Sequence, residues 1–342
     1  MNEPTRSLTA AASRWPRRLA VATLAAAVPL VFFGSSVTTL HAGLAIDGWL
    51  VLDPGRGDHF LWLYPVDKWF RDLGTFVEHT HRLLGSLVGL LAIATLVATW
   101  ATDRRRFPRA VTLSALAAVI AQGAIGGARV LERSEDLAFL HGAIAQAVFA
   151  LLGAACVAVS PAFGAEPAAR EDAERPFGRG LRRLSIAAVA SVYAQIVAGA
   201  WLRHGGGMDA LALHLVVALS VFVLVPLLAR QLGLGAGRST GEARSRLAAL
   251  RRWLLGALAA QAALGIASLA VVSRPADVRA TDGLGTAVIP TLHVVGGGVL
   301  LLACVASSLW AARLFPARSV SPRPARGTAN ESAARARWEA AR

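Results

Sequence analysis

Four histidines occupy equivalent places in the chain. His81, His141, His214 and His293 each lie four or five residues inside the start of a long apolar stretch. If those stretches are membrane-spanning helices, a rise of about 1.5 Å per residue puts all four rings about 6–8 Å below one membrane face. A single intramembrane histidine is commonly no more than a hydrogen-bonding helix contact. Four at one depth, one per alternate stretch, point to a shared ligand, because polar groups inside a bilayer are costly and tend to be functional. Zinc typically takes four protein ligands, or three and a water, often with carboxylate or thiolate help. A proton relay would need acids, and the only acid inside a stretch is Glu78. Haem is planar and apolar and is satisfied by two axial imidazoles from facing helices. The economical reading is two bis-histidine haem sites, His81/His141 and His214/His293.

The neighbours of these histidines are not equivalent. His81 sits in Glu78-His79-Thr80-His81-Arg82, whereas His214 sits in Leu211-Ala212-Leu213-His214-Leu215. Glu78, three residues before His81, shares its helix face. Such a carboxylate could take up or relay a proton, or simply complement the helix dipole. Arg82 could meet a haem propionate or anchor at the interface; Arg129 and Arg203, at the outer ends of two other stretches, are further propionate candidates. His41, His59 and His204 fall at or beyond the interface, and His79 points away from His81 around the helix. Cys156 and Cys304 read as packing residues.

The elements that must hold these side chains are eight apolar stretches, at about 19–40, 76–100, 109–130, 137–160, 183–202, 210–230, 252–272 and 288–312, each close to the roughly 20 residues a helix needs to span a bilayer. The chain is 55% hydrophobic and 16% charged, too apolar for disorder or an ordinary soluble domain, and two cysteines make no disulfide framework. Its +14 charge would suggest a nucleic-acid binder if taken alone. With the N-terminus inside, however, 26 basic residues fall on the cytoplasmic side and 8 outside, with Arg82 within a span. That asymmetry is a topology signal for both termini in the cytoplasm, and no nucleic-acid partner is implied.

Spans three, five and seven share a motif led by glutamine and rich in small residues: Gln122 to Arg129, Gln195 to Arg203 and Gln261 to Ser268, with Gly34-Ser35-Ser36 a looser echo in span one. Small residues allow close helix approach or leave room for a flat ligand. The expected fold is an all-α integral membrane protein of two pseudo-repeated four-helix bundles. Residues 1–18 form a cytoplasmic segment, 19–160 the first half, 161–182 a cytoplasmic linker, 183–312 the second half and 313–342 a basic, weakly ordered tail. The long outer loop 41–77 carries Trp49, Trp62, Tyr64, Trp69 and Phe70 and is expected to lie on the outer membrane surface.

Glu78-x-x-His81-Arg82 followed by Leu83-Leu84-Gly85 resembles the haem A synthase family. The resemblance continues with Gly34, Val37-Thr38, Gln122, Gly126-Gly127, Leu140-His141, His214 and His293-Val294-Val295-Gly296, and runs from about residue 20 to 312. It implies oxidation of the C8 methyl of haem O to a formyl group, giving haem A for cytochrome oxidase in a bacterial cytoplasmic membrane. His81 and His141 would then hold haem O or haem A, with Glu78 essential to catalysis, and His214 and His293 would ligate a permanent haem b. Haem O synthase and an electron-transfer protein are the implied partners. Some branches of the family carry cysteine pairs in their outer loops; this chain has none there, and its 41–77 loop departs from the usual pattern. Two other readings use the same histidines: a di-haem cytochrome b electron-transfer subunit, and a non-enzymatic haem-binding assembly factor.

Overall fold

The computed structural model describes residues 13–165, 175–274 and 283–315. Eight helices are long and apolar enough to cross a membrane. They are α1 (Trp15–Thr39), α3 (Leu73–Thr102), α4 (Arg106–Glu132), α5 (Glu135–Ala158), α7 (Arg175–Arg203), α8 (Gly207–Gly237), α9 (Gly241–Val272) and α10 (Gly283–Leu314). Two short helices, α2 (Val66–Trp69) and α6 (Pro161–Gly164), lie between them.

Each expected span has its helix, but several helices run past the apolar stretch. Thus α9 begins at Gly241, ahead of residue 252, and takes in Arg244, Arg246, Arg251 and Arg252. Similarly, α7 begins at Arg175, inside the expected linker. Hydropathy marks only the part that sits in lipid; alanine, leucine and arginine are all strong helix formers, so the helix continues into the headgroup region and beyond. The starts are set by local chemistry. The Asp72 side chain accepts from the Thr75 N–H at 2.8 Å to cap α3, and Ser134 caps α5 through the Leu137 N–H at 3.2 Å.

Helices α1, α3, α4 and α5 pack in a closed ring, each on the next, and α7, α8, α9 and α10 make a second ring in the same order. The rings meet where α5 packs on α7 and α10 and where α1 packs on α10. Their interiors differ. The second ring holds a leucine-rich core including Leu228, Leu232, Leu247, Leu254 and Leu300. The first is lined on the side away from its histidines by Ala20, Ala92 and Ala115 and by the hydroxyls of Thr23, Thr95 and Thr112, around a cavity with room for about one water. Thr23 and Thr95 hydrogen-bond each other at 3.1 Å across α1 and α3. Of the expected tail, 313–342, the first residues continue α10 to Leu314, and 316–342 lie outside the described residues, as does most of the outer loop between α9 and α10.

The 41–72 connection is a small folded lobe. Antiparallel strands β1 (Val51–Leu52) and β2 (His59–Phe60) form a hairpin, followed by a 3-10 turn over Leu61–Leu63 and by α2. Ile46, Leu52, Leu61 and Tyr64 are buried together, with Trp69 packed against them. Opposite that core, Trp62, Leu63, Val66 and Phe70 are exposed, the amphipathic division expected of a segment resting at a membrane interface.

Candidate functional site

The four spaced histidines come together as two pairs, one in each ring. The His81 and His141 ring centres are 6.3 Å apart with planes at 87°, and the His214 and His293 centres are also 6.3 Å apart, at 75°. An imidazole bound through Nε2 puts its ring centre about 3.2 Å from a metal, from a bond of about 2.0 Å and about 1.2 Å more to the centre, so two axial rings need their centres about 6.4 Å apart. Both pairs have the spacing that a single iron between them requires. Among the described residues no three His, Cys, Asp or Glu side chains converge as a metal cage. A bare ion would therefore be under-coordinated here, whereas a haem brings its own equatorial nitrogens and needs only the two axial ones.

Each ring is seated on a glycine of the preceding long helix. A Cβ on Gly34, Gly126, Gly199 or Gly265 would lie 2.6, 2.8, 3.0 or 3.1 Å from the Cε1 atom of His81, His141, His214 or His293, respectively. These glycines belong to the small-residue motifs read from the sequence, which here serve as seats for imidazoles. One helical turn before the glycine, a main-chain carbonyl orients the ring. His81 Nδ1 donates to Leu30 O at 3.1 Å, and His214 Nδ1 to Gln195 O at 3.2 Å. A proton held on Nδ1 leaves the Nε2 lone pair free for a ligand. His293 departs from this: its Nδ1 is buried without a hydrogen-bond partner, and its Nε2 lies 3.5 Å from Gln261 Nε2.

Glu78 is buried, and both of its oxygens are engaged. Oε2 accepts from the Ile46 N–H at 3.0 Å and Oε1 from Arg82 Nη2 at 2.6 Å. The Glu78 and Arg82 side chains are only 4% and 8% exposed. Arg82 also donates to Gly48 O at 2.9 Å and Ile46 O at 3.2 Å. The pair therefore clasps the start of the outer lobe onto α3. Arg129 Nη2 adds a bond to Gly43 O at 2.8 Å. The Trp49 indole lies where a Cβ on Gly127 would be, next to the seat of His141. Arg203 reaches from α7 to α1, donating to Ser35 O at 2.9 Å and Thr39 Oγ1 at 2.8 Å. All three arginines read as propionate candidates thus hold main-chain carbonyls at the outer ends of the helices.

His79 does turn away from His81. Its buried ring sits 5.0 Å from Tyr64 and 5.1 Å from Trp69, in the floor of the lobe. His59 joins a polar cluster within the lobe, 3.2 Å from Lys68 Nζ, which in turn pairs with Asp53 at 3.0 Å. Burial by itself would push the Asp53 carboxyl up; the hydrogen bond and charge of Lys68, with Tyr64 and Arg56, outweigh it and hold the group below its ordinary value. His204, beyond the end of α7, packs on Phe139 and approaches Glu135, and burial together with the Arg203 charge pushes its pKa down. Residues reaching the site from the lobe, Ile46 and Trp49 above all, were not among the sequence candidates. Trp49 reads in the sequence only as one of several aromatics suited to the membrane surface, and nothing in the sequence sets it apart from them.

No curated protein and no solved structure matches the chain. The family model described as COX15-CtaA, cytochrome oxidase assembly protein, matches residues 66–211, a stretch that contains Glu78, His81, His141 and the end of α7. Over this stretch, less than half of its length, the chain is similar to the COX15-CtaA cytochrome oxidase assembly proteins.

Proposed function

We propose that the protein is a haem A synthase acting in cytochrome oxidase assembly, converting the C8 methyl of haem O to the formyl group of haem A. The observation that carries this reading is the pair of imidazole clamps. Two sites share one spacing and one glycine-backed seat, while only the first lies beneath a folded outer lobe and beside a buried acid. On this reading haem O is held as substrate by His81 and His141, and His214 and His293 ligate a resident haem b, which supplies electron-transfer capacity. The chain crosses the bacterial cytoplasmic membrane with both termini inside.

The residues of the first site divide the work. His81 and His141 fix the plane of the substrate. The lobe, pinned by Glu78, Arg82 and Arg129, covers its outer edge and keeps bulk water out. Arg82, Arg129 and Arg203 are the cations available to propionates at that depth, through N–H groups that now meet carbonyls. Turning a methyl group and one water into a formyl group would release four protons and four electrons; Glu78 is the carboxylate available to accept protons at the substrate edge, Arg82 stabilises its charged form, and the electrons would pass to an electron-transfer partner. Haem O synthase is the natural source of the substrate, and an electron-transfer protein must accept the electrons released.

The test is replacement of Glu78 by glutamine in the full-length protein, followed by extraction and mass spectrometry of the haems. Glutamine keeps one acceptor oxygen, for Arg82 or for the Ile46 N–H, and turns its NH2 toward the other donor; the expected result is that haem O accumulates while haem content, read in the same extraction, is retained. Undiminished haem A from that variant would remove Glu78 from the chemistry. Haem b alone in both sites of the unmodified protein would favour the electron-transfer cytochrome instead.

A further inference from the structure

The four imidazole seats differ in one detail that bears on how firmly each ring can hold iron. At His81 and His214 the Nδ1 partner is a carbonyl, an acceptor, so the ring proton lies on Nδ1. At His141 the Gln122 side chain intervenes. Its Nε2 lies 2.8 Å from His141 O and 3.1 Å from His141 Nδ1. The contact with the carbonyl identifies that amide atom as the nitrogen, since an oxygen there would face another oxygen. Gln122 therefore offers a donor to both groups, and its own Oε1 is left buried without a partner. When Nδ1 accepts, the proton of a neutral imidazole sits on Nε2, and the lone pair that should face iron is occupied.

Register sets which ring nitrogen the amide meets. Gln261 stands in the equivalent place in α9, one turn before Gly265, but its amide lies against Gly296 and Gly297 of α10, three and four residues after His293, with its Nε2 3.5 Å from His293 Nε2 and not at Nδ1. The corresponding residues after His141 are Ile144 and Ala145, which carry the side chains that glycine lacks. In α1 the equivalent residue is Leu30, which has no amide to offer, and His81 bonds its carbonyl undisturbed. His141 thus has two neutral tautomers open to it: Nδ1 protonated with Nε2 free, or Nδ1 accepting from the Gln122 amide with Nε2 protonated.

We infer that Gln122 is a positioning residue that makes His141 the labile axial ligand of the first site, so that the haem held there can be loaded and released. Ligation by His141 requires the ring proton to move from Nε2 to Nδ1 and the amide to give up its bond to the ring. No net proton is gained or lost. The proposal rests on the reading of His81/His141 as a haem site and assigns that site its exchangeability.

The experiment uses the full-length protein in nanodiscs, loaded with haem b as probe. Its readouts are the low-spin fraction by electron paramagnetic resonance and the rate of haem transfer to apomyoglobin. Gln122→Leu imports the arrangement already present at Leu30. It is expected to raise the low-spin fraction of the first site and to slow its haem release about tenfold, the worth of one competing hydrogen bond. Gln122→Glu, whose carboxylate can only accept from Nδ1, should act in the same direction and guards against a packing defect in the leucine variant. Gln195→Leu, in the second half, should leave the first site unchanged. Unaltered spin state and release in both Gln122 variants would overturn the proposal. Unaltered haem content in His141→Ala would overturn the haem-site reading beneath it, and with it the proposal; the two failures are distinguished by which variant is silent.

Discussion

The two four-helix rings carry the same histidine clamp in differently built surroundings. In the second ring the helices close over leucines such as Leu228, Leu232 and Leu254, all fully buried. In the first a smaller cluster of Val88, Phe149 and Leu152 packs beside a small cavity lined by alanines and threonines, and the outer side is covered by a lobe with a core of its own. A dense aliphatic interior resists rearrangement, because any change of volume is felt by its neighbours. The lobe is joined to the helices by the buried Glu78–Arg82 pair, by carbonyl bonds to arginines and by the packing of Trp49, Tyr64 and Trp69. On the proposed function, one imidazole geometry serves a resident group in one ring and an exchanging one in the other, and the surroundings are what distinguish them.

The strongest way to break this comparison is to remove ligands one ring at a time. His81→Ala or His141→Ala should abolish one bis-histidine haem signal, and His214→Ala or His293→Ala the other, as read by optical and paramagnetic resonance spectra. Loss of both signals from a single substitution would mean that the two rings are not independent sites. Next in size is Arg82→Leu, which leaves the Glu78 carboxylate buried without its cation. Breaking such a pair costs about 3–5 kcal/mol. Limited proteolysis within the Asp53–Asp58 turn should then accelerate sharply as the lobe detaches, with the second ring undisturbed.

The glycine seats sharpen the comparison more finely. Replacing Gly34, Gly126, Gly199 and Gly265 by alanine one at a time should destabilise the protein in that order, following approaches of 2.6, 2.8, 3.0 and 3.1 Å. The expected range runs from about 3 kcal/mol at Gly34 to under about 1 kcal/mol at Gly265, read by thermal unfolding of the haem-free protein. An inverted order would show that the first ring is the more yielding at its seats. The smallest effect concerns acid. Asp53 has a depressed pKa, so its contribution to the lobe is present above about pH 4 and is lost as pH falls through the depressed value. Protease access to the lobe should rise over that interval, and Asp53→Asn should make it independent of pH there.

Much of this was legible along the chain. Spans show because lipid demands about 20 apolar residues in a row, and the shared depth of His81, His141, His214 and His293 shows because helical rise converts residue number into height. The small-residue motifs were visible too, but not their purpose. That Gly126 seats His141 depends on two helices crossing at one height and azimuth. The lobe was the least legible part: its aromatics marked a surface segment, yet the burial of Ile46 and Tyr64 in a core of their own, and the placing of Trp49 on Gly127, follow from no periodicity.

The sequence by itself determined the membrane helices, the equivalence of the four histidines and the asymmetry that Glu78 and Arg82 introduce, since all of these are local or one-dimensional properties. Only the tertiary structure decided the 6.3 Å spacing within the His81/His141 and His214/His293 pairs, that Glu78 takes its N–H partner from Ile46, and that Gln122 meets Nδ1 of His141 while Gln261 lies against two glycines and nearer Nε2 of His293. Those are contacts between residues 19 to 79 positions apart along the chain. They depend on how helices pack and on which side chain opposes a given amide, and neither is written in the periodicity of any single segment.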